Sequence, residues 1–398
     1  REELHPLSGQ RPCAMSQKNP VIALVAGEAS GDQLGAALME RFRASHPGAR
    51  FAGIGGAKMK AAGLEAWWDA EQLALFGLFE VLGHLPRLIR LRRDLFKRIL
   101  DLAPDVFIGI DAPDFNLGLE IKLRRKGLKT IHYVSPTVWA WRQRRVRKIA
   151  RAADLVLCLF PFEPDFYAGH GVPATYVGHP LADQVSPDDD PAAARRALQL
   201  DPGVTTVSLL PGSRVSEVTR LAEPMITGAR LLSRQRPGLQ FVAAMAGERV
   251  REPFREQMRQ LSFDRIHLVD NDPRTVMAAA DVVLCASGTA TLETMLVNRP
   301  LVMTYKVSPA SYNLAKHLRL IKPQLFALPN ILAGEALVPE VIQEQATGEN
   351  LALEAGYWLD DEARRADLRL RFLDLHRQLK CDASGKAADA VADLLDKP

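Results

Sequence analysis

Val204-Thr-Thr-Val-Ser-Leu-Leu-Pro-Gly-Ser-Arg-Val-Ser-Glu217 holds a strand, a break and a helix start. Thr205 to Leu210 are all apolar, β-branched or small, which reads as a buried parallel strand. Pro211 and Gly212 interrupt it. From Ser213 to Glu217, an oxygen-bearing side chain followed by a carboxylate in the first turn predicts a helix N-terminus. A strand, a glycine turn and a helix start present free backbone N–H groups to an anion. Arg214 stands in that turn, where a guanidinium can pair bidentately with a phosphate. Many βα turns share this pattern. Its weight comes from its position at the start of a second run of strands and helices.

Downstream, strands are expected at Leu239–Met245, Ile266–Val269, Asp281–Ala286 and Pro300–Tyr305, with helices between them. That alternation predicts a second parallel sheet. Cys285-Ala-Ser-Gly-Thr-Ala-Thr-Leu-Glu-Thr-Met295 repeats the logic of the opening turn. Ser287, Gly288, Thr289 and Thr291 offer hydroxyl and N–H groups at a helix start, which suits a diphosphate. Glu293 is placed to accept hydrogen bonds from ribose hydroxyls, although a capping role competes for part of this pattern. Leu328-Pro-Asn-Ile-Leu332 reads as a short loop. Charged helices follow over 361–380 and 385–395; they either cross back to the first half or pair between two copies, which leaves a homodimer open.

Upstream, Val21–Gly27 is a buried strand, and Glu28-Ala-Ser-Gly-Asp-Gln-Leu-Gly35 forms the turn into a helix. This is not the dinucleotide fingerprint, and no acid follows where a ribose would need one. Glu28, Ser30, Gly31 and Asp32 suit the close approach of a polar ligand, as would any short βα loop. Asp105-Val-Phe-Ile-Gly-Ile-Asp-Ala-Pro-Asp-Phe-Asn116 is a strand that ends in a carboxylate. Side chains at the C-terminal end of a parallel strand face the ligand crevice, so Asp111 is a candidate general base. Asp114 suits the crevice or the first turn of the next helix, and Asn116 closes the motif. Trp139 and Arg142 lie in a tryptophan- and arginine-rich stretch that fits a phosphorylated ligand or a lipid headgroup as well as nucleic acid.

Leu73 to Leu85 is almost wholly apolar, and Pro86 ends it. The helix that follows carries Leu88, Leu91, Leu95, Ile99 and Leu102 on one stripe, among six basic residues. With Leu75, Phe76, Leu78, Phe79, Val81 and Leu82, this region suits docking on an anionic membrane surface or admission of an acyl chain. A core helix pair with a solvated basic face fits equally well.

The totals bound the rest. The chain has 398 residues, 47% hydrophobic and 25% charged, with a net charge of +4. That composition suits two or three ordinary globular domains. Its basic residues are clustered, so patches matter more than the total. Cys13, Cys158, Cys285 and Cys381 are widely spaced, which fits a reducing compartment and no thiolate metal site. No apolar run reaches the length of about 18 residues needed to span a bilayer. Residues 1–14 read as an N-terminal extension outside the fold. The expected organisation is a first domain over 15–185, a linker over 186–202, a second domain over 203–350 and terminal helices over 351–398. Asp190 before Pro191 marks a helix N-cap in the linker rather than a metal site.

These motifs together resemble the lipid-A-disaccharide synthase family. The resemblance is carried by Val25-Ala-Gly-Glu-Ala-Ser-Gly-Asp32, Gly109–Asn116, His132-Tyr-Val-Ser-Pro-Thr-Val-Trp-Ala-Trp-Arg142, Leu210-Pro-Gly-Ser-Arg214, Ser287-Gly-Thr-Ala-Thr-Leu-Glu293 and Leu328-Pro-Asn330. It runs from about Val21 to the C-terminus, with Ala29 where the family often has threonine. It implies a GT-B fold, two Rossmann-like doubly wound α/β domains facing a cleft. It implies an inverting glycosyltransferase that joins UDP-2,3-diacylglucosamine to 2,3-diacylglucosamine 1-phosphate (lipid X). Asp111 would be the base, Arg214 would stabilise the departing diphosphate in place of a metal, and Asn330 matches a position needed for activity. The resemblance implies no cofactor, no nucleic acid partner and a peripheral location on the cytoplasmic face of the inner membrane. A UDP-sugar epimerase on the same fold and a non-enzymatic peripheral membrane protein are the alternatives.

Overall fold

The computed structural model describes residues 19–69, 81–138, 145–308 and 325–397, with the backbone alone for 81–86. Its strands are β1 (Val21–Ala26), β2 (Arg50–Gly55), β3 (Leu64–Asp69), β4 (Val106–Ile110), β5 (Lys129–Tyr133), β6 (Leu155–Cys158), β7 (Ala174–Tyr176), β8 (Thr206–Leu210), β9 (Gln240–Met245), β10 (Ile266–Asp270), β11 (Val282–Ala286), β12 (Leu301–Tyr305) and β13 (Glu340–Ile342). They form two sheets, in the orders β3-β2-β1-β4-β5-β6-β7 and β10-β9-β8-β11-β12-β13. The pairings within both sheets are parallel. This is the doubly wound α/β architecture that the alternating strands and helices predict. β3 and β13 are edge strands that the hydrophobic pattern does not announce.

Both sheets grow outward from a central strand and then reverse. The chain adds β2 and β3 on one side of β1 and returns to place β4 on the other; β8 and β11 repeat this in the second sheet. The register sets Ala26 beside Ile110 in the first sheet and Leu210 beside Cys285 in the second. The turns after those four strands therefore lie next to each other in pairs. Such reversal points are where open α/β sheets leave a crevice for ligands.

The chain divides into two compact units. One runs to Tyr133 and adds 151–155 and 387–398; the other comprises 134–150 and 156–386. In the first unit, Val25, Phe107, Leu119 and Leu123 pack with Leu95 and Ile99 from the helix Val81–Leu102. That helix begins five residues before Pro86, where the sequence suggested a break. Pro86 is the sixth residue of this helix and removes one donor from its i→i−4 hydrogen bonds without ending it. The final residues also belong to this unit: Lys129 Nζ donates to the carbonyls of Leu394 (3.1 Å) and Leu395 (3.3 Å). A lysine at these last helical carbonyls satisfies acceptors that have no intrahelical partner. In the second unit, the buried strands β8, β9 and β11 form one core with the helices Val215–Gln235, Gly348–Asp360 and Glu362–Leu379. The helix Pro191–Ala197 starts as its sequence signals, with Asp190 accepting from the N–H groups of Ala192 and Ala193.

Candidate functional site

An open cavity of about 580 Å³ lies at the C-terminal ends of β8, β9, β10 and β11 in the second unit. Gly212, Ser213, Arg214 and Glu217 line it from the turn after β8; Ser287, Gly288, Thr289 and Glu293 line it from the turn after β11. The two turns read as anion sites in the sequence thus meet in one place, because their strands are neighbours at the reversal point. Leu210, Met245 and Met277 give the cavity an apolar floor. A pocket with an apolar face beside two helix starts can hold a flat base and a diphosphate together.

Gly212 is required by its surroundings. Its φ is +111°, and a Cβ would lie 2.7 Å from Glu217 Oε2. Glu217 folds back over this turn, accepts the Arg214 backbone N–H at 3.3 Å and pairs with Arg214 Nη1 at 2.9 Å. Arginine has no acceptor, so this is the carboxylate half of a capping box alone. The Arg214 side chain is 78% exposed. A salt bridge so exposed contributes little to stability and is readily exchanged for a stronger anion.

The second turn differs. Gly288 has φ +125° and open space where a Cβ would project, so its constraint is the backbone angle alone. Gly288, Thr289 and Ala290 line the cavity from the start of the helix Thr289–Leu296, where N–H groups have no intrahelical acceptor. Glu293 lies half-buried on the same helix; burial raises its carboxyl pKa, partly opposed by Arg274. Thr291, grouped in the sequence with the diphosphate contacts, faces elsewhere. It is buried, donates to the Gly288 carbonyl at 2.8 Å and accepts the Leu328 N–H at 3.2 Å.

Asn330 is likewise a structural residue in its contacts. Its amide donates to Val338 O (2.9 Å) and Glu340 Oε1 (2.8 Å) and accepts from the N–H groups of Leu337 and Val338 (both 2.9 Å). With all four positions used and no exposed surface, it has no group left for a substrate. These contacts hold the loop 328–340 together around Asn330, the position matched to one needed for activity. Asn330→Ala is expected to strand several buried backbone groups, each worth about 1–3 kcal/mol. Chemical denaturation should show a markedly lower midpoint; an unchanged midpoint would contradict this assignment.

The first unit presents its own strand-end turns. Asp111 follows β4 with φ +51°, and Ala112 follows with φ +43°. The Asp111 N–H donates to Tyr133 O at 2.8 Å. Glu28 and Ser30 are exposed in the neighbouring turn after β1, and Asp114 is exposed in the first turn of the helix Pro113–Arg124. Three residues expected to meet ligand are instead internal. Asp32 accepts the N–H groups of Gly56 (2.7 Å), Lys58 (2.9 Å) and Met59 (3.0 Å), and so caps the helix Ala57–Ala61. Gly31 packs its helix against Ala26 and Ile110. Asn116 is fully buried, with its amide turned to backbone carbonyls. His179, which follows β7, accepts the Leu181 N–H at Nδ1. Burial lowers its pKa to about 4, so its imidazole is neutral at pH 7.

Trp139 and Arg142, and Leu75, Phe76, Leu78 and Phe79, lie outside the described residues; for Val81 and Leu82 only the backbone is described. Glu217, Met245, Asn271 and Met277 line the cavity without having been singled out as ligand contacts in the sequence. Asn271 directly follows β10, so its strand-end position was the available signal. Among the described residues, no group of three or more His, Cys, Asp or Glu side chains is arranged to hold a metal ion.

The chain's similarities agree with this geometry. By fold, it is similar to a putative UDP-N-acetylglucosamine 2-epimerase from Listeria monocytogenes (TM-score 0.60, 13% identity, 94% of this chain and 95% of that one). It is also similar to the calicheamicin glycosyltransferase CalG4 (TM-score 0.58, 14% identity, 95% and 98%). At these identities the likeness shows the fold alone, and that fold is GT-B. By sequence, it is 50% identical over 394 residues to the lipid-A-disaccharide synthase of Xanthomonas axonopodis pv. citri, covering 98% of this chain and 89% of that protein. It is 48% identical over 380 residues to that of Xylella fastidiosa strain M12, covering 95% and 99%. Residues 22–391 match the family described as lipid-A-disaccharide synthetase. The chain therefore belongs to the lipid-A-disaccharide synthase family, and is a GT-B glycosyltransferase of lipid A biosynthesis.

Proposed function

We propose that the protein transfers the sugar of UDP-2,3-diacylglucosamine to the 6-hydroxyl of 2,3-diacylglucosamine 1-phosphate. The products are a β-1′,6-linked disaccharide 1-phosphate and UDP. The observation that carries this reading is the cavity of the second sheet, where two glycine turns, Arg214 and Glu293 surround an apolar floor. Uracil suits the floor, Glu293 the ribose, and Arg214 with Ser213, Ser287, Gly288 and Thr289 the diphosphate. Asp111 takes the proton of the acceptor hydroxyl as its oxygen bonds to the donor's anomeric carbon. The bond from that carbon to the β-phosphate oxygen breaks in the same displacement, which inverts the centre. Arg214 and the helix starts receive the charge that develops on UDP. Membership of a transferase family separates this reading from an epimerase on the same fold and from a non-enzymatic membrane protein.

The experiment is a mass-spectrometric product assay in detergent micelles. Donor, acceptor and purified protein should yield a tetra-acyl disaccharide phosphate with equimolar UDP. UDP release without disaccharide would refute the proposal.

Both substrates carry acyl chains, so we place the protein at the anionic cytoplasmic face of the inner membrane. Arg87, Arg90, Arg93, Lys97 and Arg98 are exposed on the helix Val81–Leu102, beside the apolar run. Arg98 also stacks over Trp67 at 4.7 Å, an aromatic suited to a membrane interface. Among the described residues no helix is long and apolar enough to cross a membrane. Leu78→Asp combined with Phe79→Asp is expected to reduce sedimentation with phosphatidylglycerol vesicles several-fold, without lowering the melting temperature. Unaltered sedimentation would remove the apolar run from the docking surface.

A further inference from the structure

The turn that carries Asp111 is strained, and the first unit contains a buried polar array that accounts for its persistence. Asp111 and Ala112 are consecutive non-glycine residues in the left-handed region, at φ +51° and +43°. Such conformations cost about 1–3 kcal/mol each and survive only where the surroundings impose them. Pro113 follows immediately and fixes the next φ. Asn116, one turn into the helix Pro113–Arg124, supplies the main restraint. Its Nδ2 donates to Asp111 O at 2.8 Å, and lies 3.3 Å from Ile110 O and 3.4 Å from Val25 O. One amide group thus grips both carbonyls of the strand end and the adjacent strand β1.

Behind Asn116, a further turn along the same helix, Glu120 Oε1 meets His132 Nδ1 at 2.8 Å, and neither side chain has any exposed surface. Gly109 makes the room. It is the register partner of His132 on the neighbouring strand. A Cβ at residue 109 would lie 2.2 Å from Glu120 Oε1 and 2.9 Å from Asn116 Cβ. The missing side chain at 109 is therefore filled by the Asn116 and Glu120 side chains. Asn116 Oδ1, Glu120 Oε2 and His132 Nε2 are buried with no hydrogen-bond partner among the described residues.

Stability does not explain this array. A buried ion pair or its neutral form is often replaced by apolar residues at no loss, because desolvation offsets the attraction. Buried polar atoms left without partners are rare enough that each calls for a reason. The array lies between sheet and helix directly beneath the point where Asp111 leaves β4. Asn116 makes its hydrogen bonds to the turn.

We propose that Asn116, backed by the buried Glu120–His132 pair, is a positioning residue that holds the Asp111 turn in its strained conformation and so aims the Asp111 carboxylate. This rests on the reading of Asp111 as the base. Asn116 touches no substrate. Glu120, held by His132, wedges it in place by sharing with it the volume that Gly109 leaves open. The cavity of the second sheet contains none of these residues, so nucleotide binding is independent of them.

The test is a double-mutant cycle on the full-length protein, read as kcat and donor KM. Asn116→Ser is expected to lower kcat about 10²-fold, the order of loss that a small misplacement of a reacting group produces. Donor KM and UDP affinity should stay within about twofold, because uniform binding is untouched. In an Asp111→Asn background, the same substitution should change kcat by less than about twofold, since the group being aimed is gone. Glu120→Gln keeps the shape of the pair and should show the same non-additivity with a smaller loss; it carries the cycle if Asn116→Ser does not fold by circular dichroism. An equal fold-loss with and without the Asp111 carboxylate would overturn the proposal, as would a loss confined to donor KM. Wild-type turnover in Asp111→Asn alone would overturn the base assignment itself, and this inference with it.

Discussion

Asp111→Asn is expected to lower kcat by about 10²–10⁴-fold, the range supplied by a positioned general base, while UDP binding is retained. Asparagine is the informative replacement for a physical reason. Position 111 has φ +51°, and asparagine tolerates left-handed backbone better than alanine does. It keeps the shape of the carboxylate while removing its negative charge and its capacity to take a proton. An alanine variant would confound lost chemistry with a relaxed turn. The measurement is UDP release and disaccharide formation under donor saturation, alongside calorimetric UDP binding. The two observables separate because Asp111 ends β4 in the first sheet, whereas the cavity is lined from β8 to β11. Retained turnover would remove Asp111 from the mechanism; lost UDP binding would assign it a different role.

Arg214→Ala is expected to weaken UDP and slow transfer together. A charge-assisted hydrogen bond contributes about 1.5–3 kcal/mol, so a loss on the order of 10–10²-fold is expected in UDP affinity, with a further loss in kcat because charge on the diphosphate grows in the transition state. The fold should tolerate the change. The guanidinium is 78% exposed and pairs with Glu217 across a solvent-facing turn, an arrangement that contributes little to stability. Arg214→Lys should recover only part of the loss, since an ammonium lacks the planar fork that matches a phosphate. Comparing UDP affinity at low and high salt gives a second readout, because the arginine-dependent part should be screened. Unchanged UDP affinity in Arg214→Ala would refute the phosphate assignment.

Much of this was written in local sequence. The strands β1, β4, β8 and β11 are short apolar runs closed by glycine, aspartate, proline and serine respectively, and a buried parallel strand has little freedom to look otherwise. The turns Leu210–Arg214 and Ser287–Glu293 were legible for the same reason: a glycine, a hydroxyl and a helix start are local requirements. The N-cap at Asp190 before Pro191 needed three residues to specify and appears where the sequence placed it.

Other features depended on partners distant in sequence. Asp32 resembled a ligand-facing acid because its neighbours are glycine and serine. Three N–H groups from residues 56, 58 and 59 make it a helix cap instead, and the chain spacing between them cannot reveal that. Asn330 and Thr291 were placed at the chemistry by motif, and the structure adds that both are part of a buried scaffold tied together by Leu328, Val338 and Glu340. Gly109 in sequence is a weak residue in a strand; only the packed helix shows that Asn116 and Glu120 fill its missing side chain. The sequence by itself thus determined the two winding sheets, the glycine turns that line the cavity and the strand-end carboxylate, because periodicity and turn chemistry are set by near neighbours. Tertiary structure alone decided which polar side chains face open space and which are buried as caps and clamps. Burial is a property of what packs across the sheet, and hydrogen-bond partners are chosen by proximity in space rather than along the chain.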